Sequence, residues 1–363
     1  MKAPVQCAIV GCGMIADEYA HILRQSPAVQ LLACSDLDDQ RAHAFAERHD
    51  IPHAAPLDDL LSDDRIELLV VLTPPETHRN VAAAAVTAGA CTYVEKPLAL
   101  TGDNAAELLA LAEQHGCQVG AAPDTFLAPP TQTAAAAVEA GLIGEPLAAS
   151  AALLTSGPER WHPAPEGLYA PGMGPLADMG PYYLAQLIHL LGPIQRVDGV
   201  TATTRPRRVV RSGPRKGHIF QAQALTHVDA VLRTTGGVTI TFTTSSDVHA
   251  STRPHLEIYG SEGTLLLPDP NFHHGAVRLR NRSQNTWHDL PQADSRWPVG
   301  RGMGVLDLAN AMRTGRPHAA TGDLALHTCR VTDAIRHAAE TSAAAPVTLD
   351  APASRPQPRG DRS

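Results

Sequence analysis

Three short stretches of this chain carry residue types whose spacing allows chemistry. Gly11-Cys12-Gly13-Met14-Ile15-Ala16 follows the apolar run Val5-Gln6-Cys7-Ala8-Ile9-Val10 and opens a helix. In such a G-x-G-x-x-A turn the first glycine permits a tight bend and the second lets the backbone approach a pyrophosphate. The small third residue lets helix and strand pack closely, and the first-turn N–H groups of the helix face the anion. A second apolar run, Leu31-Leu32-Ala33-Cys34-Ser35, ends in Asp36, an acid placed to accept hydrogen bonds from an adenosine ribose. Together these signals read as a dinucleotide site. A carboxylate beside the ribose repels a 2′-phosphate, and the next basic side chain, Arg41, lies inside the following helix. NAD is therefore expected in preference to NADP.

The second stretch, Glu95-Lys96-Pro97, closes an apolar strand at its carboxyl end, where open α/β sheets bind ligands. Thr73-Pro74-Pro75-Glu76-Thr77-His78 closes the preceding strand at the same edge. The third stretch, Asp178-Met179-Gly180-Pro181-Tyr182, opens a helix. Asp178 and Tyr182 are four apart and so expected on one helical face, with Tyr183, Leu187 and Leu190 directed toward a core.

The elements that must position these residues fall into two kinds. Residues 1–122 alternate strands and helices in the parallel α/β manner. The unbroken apolar run Leu68-Leu69-Val70-Val71-Leu72 is of the type buried on both faces of a sheet. Helices are predicted near 77–88 and 104–115, and strands at 91–95 and 117–121. After Pro123 the pattern changes. A helix near 131–140 and a strand at 148–154 lead to alternating segments at 225–234, 237–244, 255–259 and 264–267, joined by short turns. These describe an antiparallel-rich sheet. One helix over 176–191 and two late helices, near 305–313 and 322–341, are predicted to cover one face of it. The expected division is 1–122, 123–350 and a disordered Pro/Arg-rich tail at 351–363.

Composition excludes several classes of function. The chain has 363 residues, enough for two cores, with 44% apolar and 18% charged residues. Its net charge of −8 argues against a nucleic-acid or anionic-membrane surface. The basic run from Arg205 to Lys216 is expected to be a solvated hairpin loop, with a phosphate-bearing partner as the minor alternative. Cysteines 7, 12, 34, 91, 117 and 329 form no C-x-x-C pair and fit a reducing compartment. No pair among the 18 histidines has zinc spacing, so no catalytic metal is expected. Met1-Lys2-Ala3-Pro4 runs straight into the first strand, and no apolar run reaches transmembrane length. A cytoplasmic location is expected.

The motifs taken together resemble the glucose-fructose oxidoreductase / inositol dehydrogenase family, written Gfo/Idh/MocA. The resemblance runs from about Val5 to about Leu349. It is carried by the glycine turn, Thr73-Pro74-Pro75 with His78, Glu95-Lys96-Pro97 and Asp178-Met179-Gly180-Pro181-Tyr182. It implies an α/β Rossmann domain followed by an α+β C-terminal domain with an open, mostly antiparallel sheet. It also implies a dinucleotide in the cleft, a sugar, inositol or related cyclic alcohol as substrate, and a homodimer or homotetramer formed through the sheet domain. Lys96 matches the family's catalytic lysine and Asp178 the acid of its D-x-G-x-H pattern. Tyr182 stands where many members have histidine; members with tyrosine there resemble active dehydrogenases. Cofactor contacts are accordingly expected from Gly11, Gly13, Met14, Ile15, Asp36, Thr73, Pro74, His78, Glu95, Lys96 and Pro97. Substrate contacts are expected from Lys96, Asp124, Trp161, His162, Asp178 and Tyr182. Trp161 either stacks on a sugar face or plugs the domain junction, and His162 bonds a hydroxyl or the nicotinamide amide.

The chemistry sets a condition on Tyr182. Removing a hydroxyl proton as hydride leaves needs a base near the working pH. Free tyrosine titrates near 10, so about 4 kcal/mol of differential stabilisation must come from Lys96 and the cationic nicotinamide. A neutral Tyr182 donating to a ketone needs no such help, which favours reduction slightly. Asp178 would orient Lys96 or grip a neighbouring hydroxyl. Two other readings compete with a dehydrogenase. An NAD-dependent glycosidase would use the same residues for a transient ring oxidation. A dinucleotide-sensing regulator would have no use for Lys96, Asp178 and Tyr182 together.

Overall fold

The computed structural model of the protein describes residues 3–341 and 343–349. The expected disorder of 351–363 lies outside the described residues. The chain forms two compact units. One comprises the stretch up to Ala128 together with Asp294–Cys329, the other Pro129–Ala293 together with the stretch from Arg330.

The first unit is a six-stranded parallel sheet. Its strands are β1 (Val5–Val10), β2 (Val29–Ser35), β3 (His53–Ala54), β4 (Leu68–Val71), β5 (Cys91–Val94) and β6 (Val119–Ala121), in the order β3-β2-β1-β4-β5-β6. Helices α1 (Ala16–Arg24), α2 (Asp39–Arg48), α3 (Leu57–Leu61), α4 (His78–Thr87) and α5 (Gly102–Gln114) connect the strands. Strand order reverses between β1 and β4, the crevice where such sheets take ligands. One face buries Val10, Leu69, Val71 and Val94 against Ala82, Val86 and Leu108 of α4 and α5. Each large apolar side chain so buried contributes roughly 1.5–3 kcal/mol. Asp38 and Thr101 cap α2 and α5 by accepting the N–H groups of Arg41 and Asn104, each cap being worth about 1 kcal/mol. All six cysteines are free thiols.

The second unit holds α6 (Pro129–Glu139), α7 (Gly174–Asp178), α8 (Gly180–Leu191) and a nine-stranded sheet. Its strands are β7 (Pro146–Leu154), β8 (Ile194–Ala202), β11 (His227–Thr234), β12 (Thr239–Ser245), β13 (Leu256–Gly260), β14 (Gly263–Leu267), β15 (Arg278–Asn281), β16 (Gln284–Asp289) and β17 (Ala345–Pro346). The order is β16-β15-β14-β13-β7-β12-β11-β8-β17, antiparallel everywhere except β7 with β12. A separate hairpin pairs β9 (Arg207–Val209) with β10 (Ile219–Gln221). Along β11, Val228, Ala230 and Leu232 are buried while their neighbours are not, the alternation of a sheet covered on one face.

Two expectations change here. The single helix predicted over 176–191 is two helices, broken at Met179. Pro181 has no N–H, and its ring would strike the carbonyl of residue 177 in a continuous helix. Asp178 therefore ends α7 and Tyr182 lies in the first turn of α8, so they do not share one helical face. The second difference is that Asp294–Cys329 belongs with the first unit, although 123–350 was expected to form one domain. Helix α9 (Met303–Thr314) is tied there by Asp124, whose Oδ2 accepts the N–H groups of Gly302 and Gly304 at 2.9 and 3.0 Å. Arg313, at the other end of α9, holds Glu67 with a 2.7 Å hydrogen bond from Nη1. Helix α10 (Gly322–Thr341) is divided at Cys329, its later residues counting with the second unit.

Candidate active site

The glycine turn has the geometry its sequence implies. Gly11 adopts φ +95°, and a Cβ there would lie 2.7 Å from the Leu72 carbonyl group, so only glycine fits. A Cβ on Gly13 would meet no heavy atom within 4 Å: the backbone here borders open space, as close approach by a pyrophosphate requires. Asp36 ends β2 beside this turn and also braces it. Its Oδ2 accepts the Cys12 N–H at 2.8 Å, and its Oδ1 accepts the Asp38 N–H at 2.9 Å and Arg41 Nη1 at 3.0 Å. Arg41 thus folds back onto Asp36, a contact that its place inside α2 concealed. Met14 is exposed at the start of the helix.

At the ends of β4 and β5, the polar atoms of two residues expected to meet the cofactor have internal partners. His78 is 1% exposed. Its Nδ1 lies 2.7 Å from the Pro97 carbonyl oxygen and its Nε2 2.7 Å from that of Thr73. Both ring nitrogens are committed to backbone, so the ring joins the two strand-end loops. Glu95 is also internal: its Oε1 accepts the Tyr19 hydroxyl and its Oε2 the Lys96 N–H, each at 2.8 Å. Lys96 and Pro97 are half-buried, as is Thr73, while Pro74 is exposed at the end of β4. Asp124, expected beside the substrate, is 2% exposed, and its Oδ2 caps the start of α9 through the N–H groups of Gly302 and Gly304.

In the second unit Asp178 is half-buried at the end of α7, and Tyr182 is 3% exposed in α8. Tyr183 turns away from Tyr182, its hydroxyl 2.9 Å from His255 Nδ1 and 3.3 Å from Asp269. Burial, with the Asp269 charge, pushes the Tyr183 phenol far up. Trp161 is 62% exposed and meets the His162 ring edge-on, centroids 5.3 Å apart. His162 Nδ1 accepts the Ala164 N–H at 3.1 Å.

The basic run expected to be solvated contains a fully buried side chain, Arg208. Its Nη1 donates to Glu159 Oε1 at 3.1 Å and to the Ser246 carbonyl at 3.0 Å, and its Nη2 to Asp247. The guanidinium lies 4.9 Å over the Tyr169 ring, and the Tyr169 hydroxyl donates to Glu159 Oε2 at 2.6 Å. This cluster anchors the loop that carries Trp161 and His162. Burial raises the Asp247 carboxyl, but hydrogen bonds from Thr204 and Thr226 and the Arg208 charge outweigh it, leaving Asp247 below its ordinary value. Nothing in the run of arginines marks which one turns inward. Among the described residues no group of three or more His, Cys, Asp or Glu side chains could hold a metal.

Residues 5–122 match the family described as "Oxidoreductase family, NAD-binding Rossmann fold", and residues 131–266 match the "GFO/IDH/MocA C-terminal domain". The chain belongs to the GFO/IDH/MocA oxidoreductases, and its first unit is their NAD-binding Rossmann domain. It is 26% identical over 301 residues to the trans-1,2-dihydrobenzene-1,2-diol dehydrogenase of Bos taurus, covering 82% of this chain and 84% of the relative. It is 30% identical over 274 residues to the dTDP-3,4-didehydro-2,6-dideoxy-alpha-D-glucose 3-reductase of Streptomyces antibioticus, covering 73% and 76%. In fold it is similar to levoglucosan dehydrogenase in complex with NADH and L-sorbose, with TM-score 0.80, 18% identity and coverage of 95% and 99%.

Proposed function

We propose that this enzyme transfers hydride between NAD and a secondary hydroxyl or ketone of a sugar, cyclitol or related small polyol. The observation that carries the reading is the placement of Lys96. It stands at the carboxyl end of β5, on a loop whose backbone is braced by Glu95 and His78, in the domain that holds the dinucleotide. The named relatives agree in chemistry, since one acts on a ring alcohol and the other on a ring ketone. When bound, the nicotinamide supplies the hydride acceptor or donor. In this reading Lys96 steadies negative charge developing on the substrate oxygen, Tyr182 exchanges the hydroxyl proton, and Asp178 grips a neighbouring hydroxyl. Trp161, exposed on an anchored loop, would stack on the substrate ring.

NAD is preferred to NADP in this reading because the Asp36 carboxylate stands at the ribose end. The reading includes a cytoplasmic homodimer or homotetramer. The free cysteines accord with a reducing compartment, and among the described residues no helix is long and apolar enough to cross a membrane. The test is a panel of sugars, cyclitols and their keto forms, incubated with purified protein and NAD or NADH. Net change in NADH absorbance with a member of the panel is the expected result. Release of aglycone from glycosides without net NADH change would overturn it.

A further inference from the structure

Tyr19 and Glu95 form a buried polar pair in the first unit, Tyr19 at 0% and Glu95 at 7% exposure. Burying a phenol and a carboxylate is costly, and an apolar pair of similar volume would fill the same space without that cost. The pair is therefore worth explaining by what it connects. Tyr19 belongs to α1, the helix that opens at the glycine turn. Its hydroxyl donates to Glu95 Oε1, and Glu95 Oε2 accepts the N–H of the peptide that carries Lys96, both at 2.8 Å. Burial, reinforced by the Glu95 charge, holds the Tyr19 phenol well above its ordinary value, so it stays a donor. One carboxylate thus joins the phosphate-binding helix to the Lys96 backbone.

We infer that Tyr19 and Glu95 are positioning residues for Lys96, transmitting the placement of α1 to the ammonium through two hydrogen bonds. The inference rests on the role given to Lys96 above. Neither residue touches a reacting atom. Their effect is on where Lys96 sits, and a misplacement of about 1 Å can cost about a hundredfold in rate.

The experiment compares the purified full chain with Tyr19→Phe, Glu95→Gln and Lys96→Met, using the panel compound that the wild type turns over fastest. Tyr19→Phe removes one hydroxyl and keeps the ring. It is expected to lower kcat by about tenfold, with substrate KM and NADH affinity, read by NADH fluorescence titration, within about threefold of wild type. Glu95→Gln sets an amide donor against one of two N–H or O–H donors, and is expected to lower kcat further with the same unchanged affinity. If Tyr19→Phe does not fold, Glu95→Gln carries the test alone. Unchanged kcat overturns the inference, and so does a kcat loss matched by an equal loss of NADH affinity, which marks a merely structural role. Lys96→Met with full turnover overturns the underlying reading of the site. An inactive Lys96→Met beside an unimpaired Tyr19→Phe and Glu95→Gln overturns only the positioning pair.

Discussion

The loop that ends β5 and the loop between β7 and α7 both carry side chains proposed above to meet ligands, and they are secured by different means. Glu95-Lys96-Pro97 is held by single hydrogen bonds to backbone and to one phenol, with His78 and Tyr19 as the braces. The loop bearing Trp161 and His162 is held by a buried guanidinium between two carboxylates. Removing the Tyr19 hydroxyl costs one hydrogen bond and, on the positioning role inferred above, misplaces Lys96. Removing Arg208 strands two negative charges in the interior, a far larger penalty to the fold. Damage to the first loop should therefore appear in turnover, and damage to the second in stability.

The most severe way to separate the two is Lys96→Met or Tyr182→Phe. Each is expected to lower kcat by about 10²–10⁴-fold with NADH affinity retained; steady-state rates beside a fluorescence titration read both quantities. Undiminished turnover in either variant would remove it from the catalytic set. Arg208→Met tests the other side of the comparison and is expected to lose about 3–5 kcal/mol of unfolding free energy in urea. A loss below about 1 kcal/mol would mean that the buried pairs are energetically idle.

A pH series sharpens the same contrast. Asp247 is held below its ordinary value in the folded protein. Such a carboxyl contributes stability that is complete above its unfolded value near 3.9 and is lost as pH falls through the folded value. The stability gap between wild type and Arg208→Met should therefore narrow below about pH 4; a gap constant from neutrality to acid would contradict it. The smallest effect concerns the cofactor end. Asp36→Ala is expected to weaken NAD by about tenfold, from the lost ribose hydrogen bonds, and NADP by less. Equal weakening of both would show that Asp36 acts only as the brace of Cys12 and Asp38.

Much of the scaffold was legible because its signals are local. The glycine turn, the apolar runs of β1 and β4 and the alternation along β11 depend on neighbours a few residues apart, and the structure realises each. The break between α7 and α8 was missed, although Pro181 carries a local steric veto. The oxidoreductase family was legible because its motifs are short and lie at strand ends. The duties of His78, Glu95, Asp124 and Arg208 were not. Their sequence positions suggested ligand contact or solvent, yet each is consumed by partners that the chain brings from elsewhere.

By itself, then, the sequence determined the alternation of strands and helices, the dinucleotide turn and the strand ends at which chemistry is offered. Tertiary structure decided which polar side chains become braces, caps and buried ion pairs. The physical reason is that backbone periodicity and steric limits act over a few residues. A buried donor or acceptor, by contrast, must be satisfied by whichever group packs against it, and for Asp124 that is the start of a helix 178 residues along the chain.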